Sequence, residues 1–468
     1  MATPSPEPPA ADRLPPAGHG PVPWRTALRA PGILRLTLVR FTGQFGDGVF
    51  QAALSGAILF NPERETDPPA IAAGFAVLLL PYSLIGPYAG ALLDRWDRRL
   101  VFLLANLLRA ALIVVVCVGL PAGIDEKPLL LLALAVVGIS RFIAAGVSAA
   151  LPRVLAQQWL VPANSVLATA GSGCAAAGAA LAVAVIGIIG AGDTASAVAV
   201  AISAVGSVAG VLLAAGFAPH ALGPDSVRAG TGNAVRAIAS GLRIGAAAVW
   251  DSVAVTTAML GIGAHRIVFG ANTLIMVLVL RQAPTDASAM GSGLVGFGVA
   301  ITATAAGMLV AALIAPLLIP RLGRPRMVVA GLVVATVVQL CLVTPTALAD
   351  SERAAERAHQ LLLVAAFLFG LAGQTIKLTG DATMQIDIDD ARRGEVFALQ
   401  DTVFNIAFVL AVAVTALVIP ADGRSMGMVV AGAVCYLVGI VAIAANSRRA
   451  PHIHGNGLGH RRSSRGEL

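Results

Sequence analysis

Charge is scarce in this sequence. Of 468 residues only 12% are Asp, Glu, Lys or Arg, against 57% that are hydrophobic, whereas soluble domains carry roughly 25% charged residues. That shortage excludes a soluble globular chain. Cysteine is scarce too: Cys117, Cys174, Cys341 and Cys435 each fall inside an apolar run with no partner nearby in sequence, which argues for core packing rather than a disulfide framework or a metal site. No Walker-type phosphate loop occurs, so direct coupling to ATP is not expected, and neither a Gly-x-Ser-x-Gly elbow nor a His/Cys/Asp set at metal-ligand spacing stands out. An enzyme is therefore not expected, and no cofactor or metal is implied. The opening residues, MATPSPEPPAADRLPPAGHGPVP, have no apolar core joined to a small-residue cleavage site, so they read as a disordered tail and not a signal peptide.

Long apolar runs are what the sequence has instead. A helix needs roughly 20 mostly apolar residues to cross a hydrocarbon layer about 30 Å thick, and twelve such runs can be read, at about 32–60, 71–93, 100–120, 128–150, 164–190, 195–217, 252–280, 293–319, 327–349, 360–384, 396–419 and 426–446. The break at 218–251 holds GNAVRAIASGLRIGAAAVW, whose arginines interleave with apolar residues as on an interfacial helix. The expected fold is an all-α integral membrane protein, with twelve transmembrane helices in two pseudo-symmetric six-helix bundles. Its parts are a tail at 1–31, bundles at 32–217 and 252–446 joined by a cytoplasmic linker at 218–251, and a basic tail at 447–468.

Arginine sets the orientation, because short loops rich in Lys and Arg stay on the cytoplasmic side. With the N-terminus inside, the inner loops hold about twice as many basic residues as the outer ones, and the C-terminal tail adds Arg448, Arg449, Arg461, Arg462 and Arg465. Both termini are thus expected in the cytoplasm of a cell-membrane protein. The net charge of +7 follows from this asymmetry and does not call for a nucleic-acid partner. A faint repeat supports two halves: GALLDRWDRR, between runs 2 and 3, aligns with PLLIPRLGRP, between runs 8 and 9, matching Arg95 with Arg321 and Arg98 with Arg324. Weak repeats of this kind occur in transporters built from related bundles.

GALLDRWDRR also resembles the loop 2–3 signature of the major facilitator superfamily, Gly-x-Leu-x-Asp-Arg-x-Gly-Arg-Arg. Gly90, Leu92, Asp94, Arg95, Arg98 and Arg99 match, and Asp97 stands where the family usually has Gly. The resemblance implies a conformational latch of Gly90, Asp94, Arg95, Arg98 and Arg99, with Asp94 facing the start of span 11 near Glu395–Phe397; the alternative is that these charges only orient the loop. Arg141 and Gly146 resemble the span 4 arginine motif. In span 5, Gly171, Gly173 and Gly178 remain from a glycine-proline signature that here has no proline. In the family, spans 1, 4, 7 and 10 line the central cavity.

Ionisable groups at membrane depth cost about 2.5–3.5 kcal/mol or more, so each is a functional candidate by default. Arg40 and Asp47 lie in run 1, Arg109 in run 3, Arg141 in run 4, His265 and Arg266 in run 7, and Lys377 with Asp381 in run 10. All but Arg109 fall on the four cavity-lining spans that the resemblance implies, and they are candidates for proton coupling or substrate binding. Asp47, flanked by Gly46 and Gly48, reads either as an accessible coupling carboxylate or as the structural partner of Arg40. Lys377 and Asp381, four apart, can pair on one helix face. His265 is either a titrating group or a packing residue. Arg321, Arg324, Asp390, Arg393 and Asp401 are expected to form a salt-bridge network between the bundles. His452, His454 and His460 read as part of a flexible tail. Basic groups outnumber acids at depth, which favours an anionic or amphiphilic substrate.

The expected function is secondary active transport of a small amphipathic molecule by alternating access, outward and proton-coupled. The partners would be the lipid bilayer, the substrate and protons, with the protein a monomer. The alternatives are an uptake carrier or lipid mover, and a non-transporting membrane sensor or assembly protein.

Overall fold

The computed structural model describes residues 32–60, 68–77, 81, 93, 96–155, 157–223, 234–281 and 293–449. All regular structure among them is helical, as hydrocarbon requires: a helix satisfies its backbone polar groups internally. The elements are α1 (Ile33–Leu59), α2 (Pro68–Val77), α3 (Arg98–Gly119), α4 (Glu126–Val154), α5 (Gln157–Ile189), α6 (Asp193–Ala215), α7 (Ala234–Asp251), α8 (Val253–Arg281), α9 (Gly293–Leu322), α10 (Arg324–Leu348), α11 (Glu352–Asp387), α12 (Asp390–Val418) and α13 (Met426–Ser447). Ten of the described helices are long and apolar enough to cross a membrane. With 27 residues α1 has the same length, its apolar character diluted by Arg35, Arg40 and Asp47.

Helix starts are set by short polar side chains. The Asp97 carboxylate accepts from the Arg99 backbone N–H at 3.0 Å and so caps α3. Ser351 and Ser425 cap α11 and α13 in the same way. The aligned arginines of the repeat prove structurally equivalent, since Arg98 opens α3 and Arg324 opens α10. Midway, α10 passes through a π-turn at Gln339–Val343. Gln339, fully buried, accepts from Asn272 at 2.6 Å and donates to the Val429 carbonyl at 3.3 Å, tying α10 to α8 and α13.

Helices associate here without a hydrophobic drive, since lipid tails are as apolar as leucine, so close backbone approach at small residues has to supply the contact. Gly48 on α1 lies against the Ala175 carbonyl of α5, and Gly307 on α9 lies against the Phe367 carbonyl of α11, each leaving no room for a Cβ. One group of helices (α1, α3, α4, α5 and α6) is built around such contacts, and a second comprises α8 to α13. The groups meet through α9, which touches α1 and α5. Around the Leu59 end of α1 the seam is closed by aromatic contacts: Phe60 meets Phe297 with ring centroids 5.4 Å apart, Phe75 meets Phe408 at 6.1 Å, and Arg281 donates to the Leu59 carbonyl at 3.2 Å. Helix α7, on the segment expected to hold an interfacial helix, packs on α12, with Gly245 against the Glu395 backbone.

Because the α9–α11 contact is backbone against backbone, Gly307→Val should cost more than the about 1–3 kcal/mol of ordinary overpacking. The expected outcome is loss of the monodisperse peak in size-exclusion chromatography of detergent extracts. Gly43→Ala, which meets nothing within 4 Å, should leave that peak unchanged.

Candidate functional site

A cavity of about 550 Å³ lies between the two groups of helices, within the 300–1,000 Å³ range of drug-sized sites. Its first wall is made of Gly48, Gln51, Ala52 and Ser55 from α1, Phe75 from α2, and Ala175, Ala176 and Ala179 from α5. The facing wall carries His265, Arg266 and Phe269 from α8, Phe297 and Thr304 from α9, Phe369, Gln374 and Lys377 from α11, and Phe404 and Phe408 from α12. Three of the four spans expected to line a cavity do so. The fourth, α4, contributes no residue to this lining, and α5, α9 and α12 take part instead.

Arg266 is a deep charge that lines the cavity. Its guanidinium stacks 3.6 Å over the Phe404 ring centroid and 4.8 Å from that of Phe408, and its Nε donates to the Phe404 carbonyl at 3.3 Å. No carboxylate among the described residues pairs with it. His265 beside it is buried in an aromatic box of Phe269, Phe369 and Tyr436, with Nδ1 3.3 Å from the Tyr436 hydroxyl. Its ring is seated against Gly373 of α11. Lys377 pairs with Asp381 at 2.7 Å, as the four-residue spacing allows, and Gln400 of α12 donates to the other oxygen of that carboxylate at 2.7 Å.

Asp47 departs from both readings of the sequence. Its carboxylate is buried, 6% exposed, and pairs at 2.7 Å with Arg109 of α3 rather than with Arg40. The flanking glycines do not open it to the cavity: Gly46 packs on Ser203 and Gly206 of α6 and Gly48 on Ala175 of α5. Arg109, which lay outside the expected set, is thus the partner the sequence reading missed. One acid in run 1 and one base in run 3, each deep in its apolar run, were the signal that could have found it. Arg40 reaches Ser148 of α4 at 3.4 Å, and Arg141 is half-buried on α4; neither lines the cavity.

Of the expected latch, Gly90, Asp94 and Arg95 lie outside the described residues. Arg98 is buried and donates to the carbonyls of Ala149 at 2.9 Å and Leu222 at 3.1 Å, clamping the start of α3 to α4 and to the segment after α6. Arg99 reaches the Ala215 carbonyl at 3.3 Å. Asp97, the departure from the signature, supplies the cap of α3 and also accepts from the His220 backbone at 3.3 Å. The expected inter-bundle network is corrected where it is described. Arg324 pairs with Asp387 at 2.9 Å and so links α10 to α11 within one group, because both sit at the ends of neighbouring helices. Arg393 donates to the Ile388 carbonyl in its own turn, Arg321 and Asp401 are exposed, and the Asp390 side chain lies outside the described residues.

No family model matches the sequence. A protein of Mycobacterium tuberculosis named an uncharacterized MFS-type transporter is 40% identical over 434 residues, covering 92% of this chain and 95% of that protein. A Mycobacterium bovis protein of the same description matches equally. The chain belongs to the major facilitator superfamily. Among solved structures, the nucleoside transporter NupG superposes with a TM-score of 0.63 at 15% identity, covering 89% of this chain and 99% of that one. A peptide transporter POT bound to sulfate does so with 0.66 at 14%, covering 90% and 95%. At these identities the superpositions show the major facilitator fold alone. The superfamily is a class of multi-pass membrane transporters, not of enzymes, and this chain is one of its members.

Removing one partner of a buried ion pair leaves an uncompensated charge, at a cost of about 3–5 kcal/mol. Asp47→Asn and Arg109→Met should each lower the melting temperature of the purified protein substantially, and the double variant Asp47→Leu/Arg109→Met should recover most of the loss. Thermal unfolding in nanodiscs checks the non-additivity.

Proposed function

We propose that the chain is a monomeric secondary transporter that moves a small amphipathic molecule across the cell membrane by alternating access, outward and in exchange for protons, with both termini in the cytoplasm. The observation that carries this reading is the cavity between the two helix groups, where six phenylalanines, Phe75, Phe269, Phe297, Phe369, Phe404 and Phe408, surround a guanidinium and an ammonium. Aromatic area suits an apolar body and the cations suit a polar end. With the Leu59 end on the outside, as the arginine distribution favours, the Phe60–Phe297 and Phe75–Phe408 contacts would close the cavity towards the exterior. Rocking of residues 32–217 against 252–446 would then break the Phe60–Phe297 and Phe75–Phe408 contacts and open the other side. Lys377, at the cavity wall, and its partner Asp381 are the pair that can change partners as it does so.

A second reading, movement of a lipid-like amphiphile, is favoured by a separate groove of about 590 Å³ between α8, α12 and α13, lined by apolar side chains such as Ile267, Ile406, Leu410 and Val414, which are exposed on that face. A groove of that kind opens sideways to acyl chains rather than to water.

Reconstitution in liposomes holding a pH-sensitive dye separates these readings. Under an imposed proton gradient, an amphiphile of one charge class should induce proton movement in the intact protein, and Lys377→Ala should reduce that flux at least about tenfold, the scale of losing one charge-assisted contact. Redistribution of a fluorescent lysolipid without proton movement would favour the second reading. Absence of both, with partner proteins co-purifying, would identify a non-transporting member of the fold.

A further inference from the structure

The charges that face the cavity do not balance. Lys377 is answered by Asp381, which Gln400 also holds, with Asp401 of α12 close enough to both to act on them electrostatically, and no carboxylate is among the described lining residues. Arg109 and Asp47 cancel each other away from the cavity, and Arg40 and Arg141 do not reach it. Among the described residues, Arg266 is therefore the cavity-lining charge that no carboxylate meets at ion-pair distance. The aromatic faces beneath its guanidinium attract the cation but offer no lone pair, and among the described residues Nε is the one of its nitrogens that finds an acceptor, the Phe404 carbonyl at 3.3 Å. The outer nitrogens of the fork stand ready to donate in parallel.

We propose that Arg266 is the recognition point for one acidic group, and that the molecule carried is a monoanionic amphiphile: a carboxylate in the guanidinium fork, and an apolar, preferentially aromatic body among the phenylalanines. This names the substrate class of the transport cavity and rests on the reading that the cavity holds the substrate. Three features of the site support the assignment. The fork geometry of arginine matches a carboxylate in a bidentate manner, which lysine cannot reproduce. Phe404 and Phe408 fix the plane of the guanidinium, with centroid distances of 3.6 and 4.8 Å, so little side-chain freedom is lost on binding. One unmatched charge accepts one anion, while a dianion would carry an excess charge into a low-dielectric site and a cation would meet Arg266 and Lys377 as like charges. The opposite wall, with Gly48, Ala52, Ala175, Ala176 and Ala179, offers room for the body without a competing charge.

The test is equilibrium binding to the full-length protein in nanodiscs, without any gradient, using radiolabelled 2-naphthoate, its isosteric amide 2-naphthamide and 2-naphthylmethylammonium. Wild type should bind the carboxylate about tenfold or more tightly than the amide, the scale of a hydrogen bond to a charged group, and the ammonium weakest. Arg266→Gln should erase the preference for acid over amide while leaving amide binding within about twofold. Arg266→Lys should keep part of the preference, since it restores charge without the fork. Failure of the carboxylate to bind more tightly than the amide in wild type overturns the proposal whether or not the variants fold, and so does a preference that survives in a folded Arg266→Gln protein. Proton flux is read separately. Carboxylate-selective binding with no transport of any compound would sink the transport reading and leave the anion site standing, whereas gradient-driven flux of cations with no acid preference would do the reverse.

Discussion

An ionised side chain inside hydrocarbon has to find an opposite charge, reach water, or be wrapped by dipoles and aromatic faces, and the placement of every deep charge in this protein follows from which of these it does. Asp47 and Arg109 take the first course, cross-linking α1 and α3 with a 2.7 Å contact in a region sealed from the cavity. Lys377, at the cavity wall, takes it with Asp381 of the same helix. Arg266 takes the third, resting on Phe404 and Phe408. Arg98 shows a further solution, in which backbone carbonyls at the ends of neighbouring helices absorb the charge. A position that is costly for an isolated ion thereby becomes either a fastener or a receptor, and what separates the two is whether protein acceptors fill the ion's donor sites.

The cavity exists because the helices beside it pack so closely elsewhere. Gly48 against α5 and Gly307 against α11 bring backbones into direct contact on either side of the seam, so the bulk of the interface is spent on a few small-residue tracks rather than on interdigitating large side chains. Phenylalanines then close the gap at the Leu59 end. Packing of this kind suits two stiff bodies with a narrow contact between them, a geometry in which few contacts must break for the bodies to change their relative tilt.

Much of this was legible in the residues. Apolar runs of the right length, punctuated by arginine-bearing loops, gave the helical membrane fold, and the loop after run 2 pointed to the superfamily. The repeat even aligned Arg98 with Arg324, which turn out to begin equivalent helices. Single-helix information also sufficed for Lys377 and Asp381, because a four-residue spacing determines adjacency on its own. Contacts between helices were another matter. The sequence offers no register for α1 against α3, so it leaves Asp47 either as a coupling carboxylate or as a partner of Arg40 on the same helix, whereas its ion-pair partner, Arg109, lies 62 positions along the chain. Nor does it show which face of α4 looks inward, and Arg141 was accordingly placed at a cavity it does not line. Arg324 was assigned across the seam when its acid, Asp387, sat in its own half. Asp97 departs from the signature, yet its carboxylate accepts the Arg99 backbone N–H, a bond that glycine has no side chain to make.

The two walls of the cavity are chemically unequal. One is largely small and bland, apart from Gln51, Ser55 and Phe75, while the other holds the histidine, the arginine, the lysine and most of the phenylalanines. A molecule bound there is gripped chiefly by one half and merely accommodated by the other. The two related halves have in that sense divided their labour, one keeping discrimination and the other clearance. Ancestral duplication would have supplied equal copies, and a lineage acquiring a new cargo could redraft the discriminating half alone, leaving the sliding surfaces and the buried Asp47–Arg109 fastener of its twin untouched.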